Sequence, residues 1–306
     1  MHRPVLYHEI ILALRPKPAG RYVDCTIGAG GHAEGILRAS SPDGCLLGLD
    51  VDPAAIDLAG KRLAEFGPRL RLIQGSYAAL RDHLAVLGWD DVDGIVMDLG
   101  VSSMQLDTPE RGFSFQTDSP LDMRFDPSSP VSAADLVNRL PEAELAKIIF
   151  RYSDEKRSRQ IARAIVASRP VITTGQLARI VAGATASRRP GFHPATRTFQ
   201  ALRVAVNHEV ETLESALPEA VAVLASGGRL AVIAFHSIED RIVKQFFRRE
   251  SQDCLCPPKQ PVCTCGHRAT LKVTISKPIR PRSEEVDQNP RARSARLRIA
   301  EKLPTE

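Results

Sequence analysis

Apolar runs alternate with amphipathic stretches over the first hundred residues. The apolar runs have the length of buried strands and lie at 21–27, 44–50, 69–73 and 92–98. The stretches between them have the apolar spacing of helices and lie at 32–39, 53–66 and 78–87. Strands that alternate with helices of this length predict a parallel, doubly wound α/β sheet.

The pattern becomes purely helical in the middle of the chain and then returns. Residues 106–130 are rich in turn residues, 132–183 have helical spacing, and one long helix is predicted at 194–213. Ser132 with Asp135, and Thr173 with Gln176, have the residue types of capping boxes. The α/β pattern then resumes, with helices at 218–225 and 238–248 and strands at 229–235, 271–276 and 295–299. The sequence thus predicts one α/β domain, 1–106 and 214–306, interrupted by a helical domain, 107–213.

Composition and hydropathy narrow the class of protein. Apolar residues make up 43% and charged residues 25% of the 306 residues, which is typical of a globular chain. No apolar run approaches the roughly 18–20 residues that cross a bilayer. The N-terminus lacks the apolar core of a signal peptide. We therefore expect a cytoplasmic protein that does not enter a membrane.

The positive charge is concentrated in two places. The net charge is +5, and residues 266–306 hold ten Lys/Arg against five Asp/Glu, which accounts for all of it. A second stretch, 185–203, holds four arginines and no acidic residue. Such patches favour a polyphosphate partner, although a solvated basic surface explains them equally well.

Polar and glycine residues follow four successive predicted strands. The turn 24–32 is rich in glycine and precedes a helix, an arrangement that brings main-chain N–H groups to a ligand. Asp50 ends the second strand and is placed to bind ribose hydroxyls, while Asp52 is predicted to cap the next helix. Tyr77 and Asp98 follow the third and fourth strands. Because ligands of open α/β sheets bind at these strand ends, the pattern favours S-adenosylmethionine (AdoMet) or a dinucleotide.

Longer motifs then identify a family. The chain resembles the bacterial small-subunit rRNA cytosine-N4 methyltransferases, the RsmH (formerly MraW) family. The stretches that carry the resemblance lie in order along nearly the whole chain, at 4–9, 22–32, 93–103, 111–115, 120–124, 193–203, 234–241 and 289–295. Two positions depart from the family pattern, Ser119 where glycine is usual and Met104 where proline is common.

The resemblance implies a fold, a cofactor and a reaction. The fold is the class I AdoMet-dependent methyltransferase fold, a Rossmann-like doubly wound sheet, with an inserted all-helical domain for substrate recognition. The reaction is methylation of the exocyclic N4 of a decoding-centre (P-site) cytosine in 16S rRNA, so the partner is 16S rRNA or the small ribosomal subunit, with no obligate protein partner. Carried over by position, the AdoMet contacts are Gly30, Gly31, His32, Asp50, Tyr77, Asp98 and Gln105.

Two residues are candidates for the reaction centre. The exocyclic amine of cytosine is a poor nucleophile, and acceptors that bind its hydrogens assist it. The Asp/Asn/Ser-Pro-Pro-aromatic motif of amino-methyltransferases is replaced here by 98–103, which has the same location but other residues. Asp98 is the first candidate, and the alternative is that it only binds the methionine part of AdoMet. His236 follows the fifth strand and is the second candidate. We expect Ser237 to be a helix N-cap with Asp240 at the third helical position.

The basic residues are predicted to hold phosphates of an RNA in which the target base is flipped out. They are Arg188, Arg189, Arg197, Arg203, Arg291, Arg293, Arg296 and Arg298.

Four of the six cysteines cluster within twelve residues of sequence. Cys254 and Cys256 form one Cys-x-Cys pair, and Cys263 and Cys265 form another. Four thiolates can hold a structural zinc ion in a tetrahedron, although the usual spacing in such sites is two to four residues. Free thiols and reversible disulfides are the alternatives.

Three other functions compete with rRNA methylation. A DNA amino-methyltransferase lacks support because the Pro-Pro-aromatic motif is absent. A Rossmann oxidoreductase would bind NAD(H) in place of AdoMet. A non-catalytic ribosome assembly factor would keep the fold without the chemistry, yet Gly30, Gly31, His32, Asp50 and Asp98 are all present.

Overall fold

The computed structural model describes residues 4–185, 193–257, 260 and 262–304. The chain forms two compact units, one made of residues 1–100 and 211–306 and the other of residues 101–210.

The first unit contains a seven-stranded sheet in the order β3-β2-β1-β4-β5-β7-β6. The strands are β1 (Arg21–Asp24), β2 (Cys45–Asp50), β3 (Leu70–Gln74), β4 (Val92–Asp98), β5 (Leu224–Ala234), β6 (Leu271–Val273) and β7 (Arg296–Lys302). β1 to β5 are parallel to one another, whereas β7 pairs antiparallel with both β5 and β6. The order reverses at β1, which lies between β2 and β4.

The α-helices of the described residues are α1 (Tyr7–Leu14), α2 (Gly31–Ala39), α3 (Pro53–Arg62), α4 (Leu80–Val86), α5 (Ser103–Asp107), α6 (Ala133–Arg139), α7 (Glu142–Ser153), α8 (Ser158–Ala167), α9 (Thr174–Ala184), α10 (Thr196–Val206), α11 (Glu209–Ala222), α12 (Ser237–Glu250) and α13 (Ser283–Gln288). Among these described helices, none is long and apolar enough to cross a membrane.

Both faces of the sheet are buried. Successive side chains of a strand point to opposite faces, so Ile95 and Met97 of β4 enter one core while Val96 enters the other. Residues of α4, α11 and α12 complete the first core, and residues of α1, α2 and α3 complete the second. This arrangement confirms the predicted α/β, doubly wound architecture.

The second unit is helical and has a core of its own. Its buried side chains come from α6 to α10 and from the preceding loop, where Phe113 and Phe125 stack with ring centroids 5.5 Å apart. Both predicted capping boxes are confirmed, Ser132 with Asp135 at the start of α6 and Thr173 with Gln176 at the start of α9.

The single helix predicted at 194–213 is wrong, because the chain forms two helices there, α10 and α11. Asn207 separates them and uses its side-chain amide to anchor the loop before α6. Its Oδ1 accepts a 2.7 Å hydrogen bond from Phe125 N, and its Nδ2 donates one of 2.7 Å to Met123 O. His208 then takes a left-handed φ of 49°, which ends the helical path.

Candidate functional site

The carboxyl ends of β1, β2 and β4 meet at one edge of the sheet. The turn after β1 is hydrogen-bonded to both neighbouring strands, since Cys25 N donates to Val96 O of β4 and Ile27 N donates to Leu49 O of β2. Gly28 lies in the left-handed region with φ 48°, and a Cβ there would meet nothing closer than 3.8 Å. The turn therefore leaves open space at Gly28, at the edge where ligands of such sheets bind.

Asp50 shapes this turn from the end of β2. Its Oδ2 accepts a 3.0 Å hydrogen bond from Gly28 N, and its Oδ1 accepts one of the same length from Asp52 N. Burial raises the pKa of Asp50 to about 6, and these main-chain donors oppose the rise. Asp52 caps α3 as predicted, accepting from Ala54 N.

Asp98, at the end of β4, carries an unsatisfied polar atom. Its Oδ1 is buried and has no hydrogen-bond partner among the described residues. Burial raises the pKa of Asp98 to about 8, and the charges of Asp24 and Glu239 add to the rise. A buried acceptor without a donor costs roughly 1–3 kcal/mol, which a bound cation or N–H donor would recover.

His32 lies beside Asp98 in the first turn of α2. Its Nε2 is 2.9 Å from Val5 O, and its Nδ1 is 3.7 Å from Asp98 Oδ2. A carbonyl can only accept, so Nε2 carries the proton and Nδ1 presents a lone pair to Asp98. Burial lowers the pKa of His32 to about 4, although the bond to Val5 opposes this, so the ring is neutral at pH 7.

Two acidic residues that the sequence reasoning missed complete the site. Asp24 is 1% exposed at the end of β1, and burial raises its pKa to about 7. Glu239 is 3% exposed in α12, and its Oε2 accepts from Phe235 N at 2.8 Å. An acid that ends an apolar strand just before a glycine turn was the available clue to Asp24. Four carboxyl groups, those of Asp24, Asp50, Asp98 and Glu239, thus give the site an affinity for positive charge.

Close packing explains why glycine is needed at two of the positions that were predicted to contact the cofactor. A Cβ on Gly30 would lie 2.9 Å from Leu63 Cδ1, and one on Gly31 would lie 2.2 Å from Pro4 Cγ. Both glycines are therefore required by the packing of α2, whatever they contact in a complex. Their role as cofactor contacts stays a prediction.

Tyr77 and Gln105 also have structural contacts. Tyr77 begins a short 3₁₀ turn and packs against the core cluster that contains Leu80 and Leu84. Gln105 belongs to the second unit, where it forms a capping box with Ser102 at the start of α5. For both residues, contact with a cofactor stays a prediction.

The predicted cap of α12 is wrong by one residue. His236 is the N-cap and Glu239 its partner, in place of Ser237 and Asp240. His236 Nδ1 accepts from Glu239 N at 3.4 Å, while Nε2 lies 3.0 Å from Glu239 Oε1 without the alignment of a hydrogen bond. Nδ1 is thus used by the helix cap, whereas Nε2 is buried and has no hydrogen-bond partner among the described residues. A catalytic role for His236 stays a prediction.

Asp240 does not cap the helix because it is paired with two arginines of β7. Arg296 Nη1 donates to its Oδ2 at 2.9 Å, and Arg298 Nε donates to its Oδ1 at 2.7 Å. Burial alone would raise the pKa of Asp240, but the two hydrogen bonds outweigh it and the pKa is lowered. Both arginines were predicted to contact phosphate, and their pairing makes them poorer candidates.

The other predicted RNA contacts differ in environment. Arg203 makes a two-pronged ion pair with Glu209, at 2.8 and 2.9 Å. Arg197 lies 3.6 Å from Glu155 and keeps 40% of its side chain exposed. Arg291 and Arg293 are exposed in the 3₁₀ turn before β7. Arg188 and Arg189 lie outside the described residues.

Comparisons with known proteins show the family of this chain. The model of the MraW methylase family matches residues 1–303. A protein of Geobacter sulfurreducens named ribosomal RNA small subunit methyltransferase H is 52% identical over 99% of each chain. The protein of that name from Thermomicrobium roseum is also 52% identical, over 99% of this chain and 94% of its own. The crystal structure of an rRNA methylase from Streptococcus thermophilus aligns over 99% of each chain with 11% identity and a TM-score of 0.45.

A match over nearly the whole length, together with an acidic site at the switch point of a doubly wound sheet, fixes the class of this protein. The predicted class I methyltransferase fold and the predicted enzyme class, an AdoMet-dependent methyltransferase, are confirmed. The chain belongs to the MraW methylase family.

Proposed function

We propose that this chain methylates the exocyclic N4 of a decoding-centre (P-site) cytosine in 16S rRNA. The proposal rests on the sequence motifs of the N4-specific family and on relatives that are named ribosomal RNA small subunit methyltransferase H. The observation that carries it is the unsatisfied Oδ1 of Asp98 within the acidic site.

The residues at the strand ends fit AdoMet. AdoMet supplies an electrophilic methyl group on a positively charged sulfonium, and its methionine part carries an ammonium. The four carboxyl groups are complementary to these charges, and an ammonium N–H would satisfy Asp98 Oδ1. Asp50 would accept from the ribose hydroxyls, since each carboxylate oxygen has a lone pair beyond the one used by Gly28 or Asp52.

The protein must also orient the amine and accept its proton. Positioning alone lowers the barrier of an in-line displacement, because the nucleophile is held close to its target. Asp98 is our first candidate for binding the N4 hydrogens, since its pKa of about 8 lies near neutral pH. The alternative is that its carboxyl only binds the ammonium of AdoMet. His236 suits binding of the N4 hydrogens less well because its Nδ1 already accepts from Glu239 N in the helix cap.

The rest of the chain would bind the rRNA substrate. Residues 107–213 would recognise the substrate, while 1–106 and 214–306 form the methyltransferase domain with its basic tail. The target cytosine would be flipped out of the folded rRNA, and the exposed Arg197, Arg291 and Arg293 would hold phosphates. The enzyme would work in the cytoplasm without an obligate protein partner.

A transfer assay tests the proposal. The full chain is incubated with tritiated AdoMet and either 30S subunits that lack this modification, 50S subunits or double-stranded DNA. We expect label in 30S rRNA only, and a loss of at least 100-fold in Asp98→Asn but not in Asp57→Asn, whose carboxylate is exposed on α3. Label in DNA alone would identify a DNA amino-methyltransferase, and binding of AdoMet without any transfer would indicate an assembly factor.

A further inference from the structure

The described residues between α12 and β6 fold without a hydrophobic core. None of the described residues within 251–269 is buried, and Leu255 and Val262 are 41% and 69% exposed. The two ends of the segment meet, because Thr270 N donates to Glu250 O at 2.8 Å. Apolar burial of the described residues therefore does not order this loop, and a cross-link would supply the missing stability.

The four clustered cysteines occupy the centre of this loop. Cys254 Sγ lies 3.4 Å from Cys263 Sγ and 3.9 Å from Cys265 Sγ. Cys263 Sγ lies 4.0 Å from Cys256 Sγ and 3.6 Å from Cys265 Sγ. All four sulfur atoms are within 4.8 Å of one another.

These distances fit a tetrahedron of thiolates around one metal ion. With a zinc–sulfur bond of about 2.3 Å, the sulfur atoms of a regular tetrahedron are about 3.8 Å apart. A disulfide bond of about 2.05 Å is much shorter than any of the four separations, and all four cysteines are free. The arrangement is therefore that of four convergent ligands rather than of two bridges.

The backbone around the sulfur atoms also suits thiolates. Main-chain N–H groups point at three of them, from Leu255 to Cys265 at 3.3 Å, from Cys256 to Cys254 at 3.4 Å, and from Thr264 to Cys256 at 3.4 Å. Gly266 follows the last cysteine with φ 63°, a conformation that side chains rarely adopt. N–H donors stabilise sulfur that carries negative charge, which is the form that binds a metal.

We propose that Cys254, Cys256, Cys263 and Cys265 bind one structural zinc ion, which holds the loop 251–269 closed. Four protein ligands leave no open position, so the site is structural rather than catalytic. Zinc is favoured over magnesium or calcium because all the ligands are soft thiolates. The site does not depend on the proposed substrate, and the proposed methyl transfer uses none of these cysteines.

The metal content of the full chain tests this site. The protein is purified without a histidine tag and without added metal, dialysed, and analysed by inductively coupled plasma mass spectrometry. We expect about one zinc per chain in the wild type and in Cys45→Ser, whose cysteine lies outside the cluster, and less than about a tenth as much in Cys263→Ser. Stoichiometric iron in place of zinc, equal zinc in Cys263→Ser, or substoichiometric metal in the wild type would each overturn the assignment.

Two readouts on the wild-type chain keep the test independent of how Cys263→Ser folds. Metal-stripped protein titrated with Co²⁺ should show the thiolate charge-transfer and visible bands of a tetrahedral site, saturating at one equivalent. Stripping should also make the peptide bond after Arg268, whose side chain is already exposed, susceptible to trypsin, because the loop loses its order. Added zinc should restore protection. Absent cobalt bands, or the same cleavage with and without zinc, would contradict the proposal.

Discussion

The Nδ1 atom of His32 lies 3.7 Å from Oδ2 of Asp98, where the end of β4 meets the first turn of α2. Burial lowers the pKa of the imidazole to about 4 and raises that of the carboxyl to about 8. At neutral pH without a ligand, the ring is therefore neutral and Asp98 is largely protonated. A bound cation favours the carboxylate form of Asp98, so binding of the cation is coupled to loss of a proton. The affinity for AdoMet should therefore depend on pH.

Binding of AdoMet should strengthen as pH rises from 6 to 7.5. A cation favours ionised Asp98, whose pKa without ligand is about 8, so binding in this range releases a proton. The dissociation constant should fall by up to about tenfold per pH unit, which corresponds to about 1.4 kcal/mol. Titration calorimetry in buffers of different ionisation enthalpy measures the proton directly. An affinity independent of pH, with no proton released, would contradict the role of Asp98.

Asp98→Asn should stabilise the cofactor-free protein at alkaline pH. The folded-state pKa of about 8 lies above the ordinary 3.8, so the contribution of Asp98 to stability is full below pH 3.8 and is lost as pH rises through 8. Asparagine stays neutral, and we expect it to raise the free energy of unfolding by up to about 5 kcal/mol at pH 8.5 and by roughly half of that at pH 5.5. Urea denaturation at both pH values, with Asp57→Asn as the control, measures this. A variant less stable than the wild type at pH 8.5 would show that Asp98 has a native partner.

His236 can be tested as a cap and as a base separately. Asparagine is a good N-cap without a basic nitrogen, so His236→Asn should keep the wild-type stability, whereas His236→Ala should lose about 1 kcal/mol. We expect kcat of His236→Asn to stay within about threefold of the wild type. A loss of 100-fold or more in a stably folded His236→Asn would assign the ring a part in proton transfer.

Two arginines of the C-terminal region should behave differently. Arg293→Ala should weaken binding of 16S rRNA fragments and reduce the slope of log affinity against log salt by about 0.7–0.9, the loss of one phosphate contact. Arg298→Ala should instead lower the stability of the fold, because Asp240 loses one of its two partners. Arg71→Ala, an exposed arginine of β3, is the matched control for both. Identical salt slopes for Arg293→Ala and the wild type would remove Arg293 from the interface.

The sequence predicted most of the fold because its patterns are local. The buried strands, the caps at Asp52, Ser132 and Thr173, and the interruption by helices all follow from residue types at short spacing. The break between α10 and α11 did not follow, because it depends on hydrogen bonds from Asn207 to a loop more than eighty residues earlier. The predicted cap of α12 was wrong for a related reason, because Asp240 accepts hydrogen bonds from two arginines of β7, which is distant in sequence.

The candidate site was predictable only in part. Asp50 and Asp98 stood out because they end strands, whereas the acidic cluster depends on the strand order that sets β1 between β2 and β4. Glu239 joins the cluster from α12, far along the chain, and its position in the first turn of that helix predicts a cap rather than a contact with Asp98. The pairing of Arg296 and Arg298 likewise becomes visible only when β7 is placed beside α12.

The identity of the methylated nucleoside decides whether this chain is a cytosine-N4 methyltransferase. Unmodified 30S subunits are treated with the enzyme and AdoMet carrying a trideuterated methyl group, and the 16S rRNA is digested and analysed by nucleoside mass spectrometry against synthetic standards. We expect deuterated N4-methylcytidine as the single product, and none with Asp98→Asn. Deuterium in C5-methylcytidine, in a 2′-O-methyl nucleoside or in another base would contradict it.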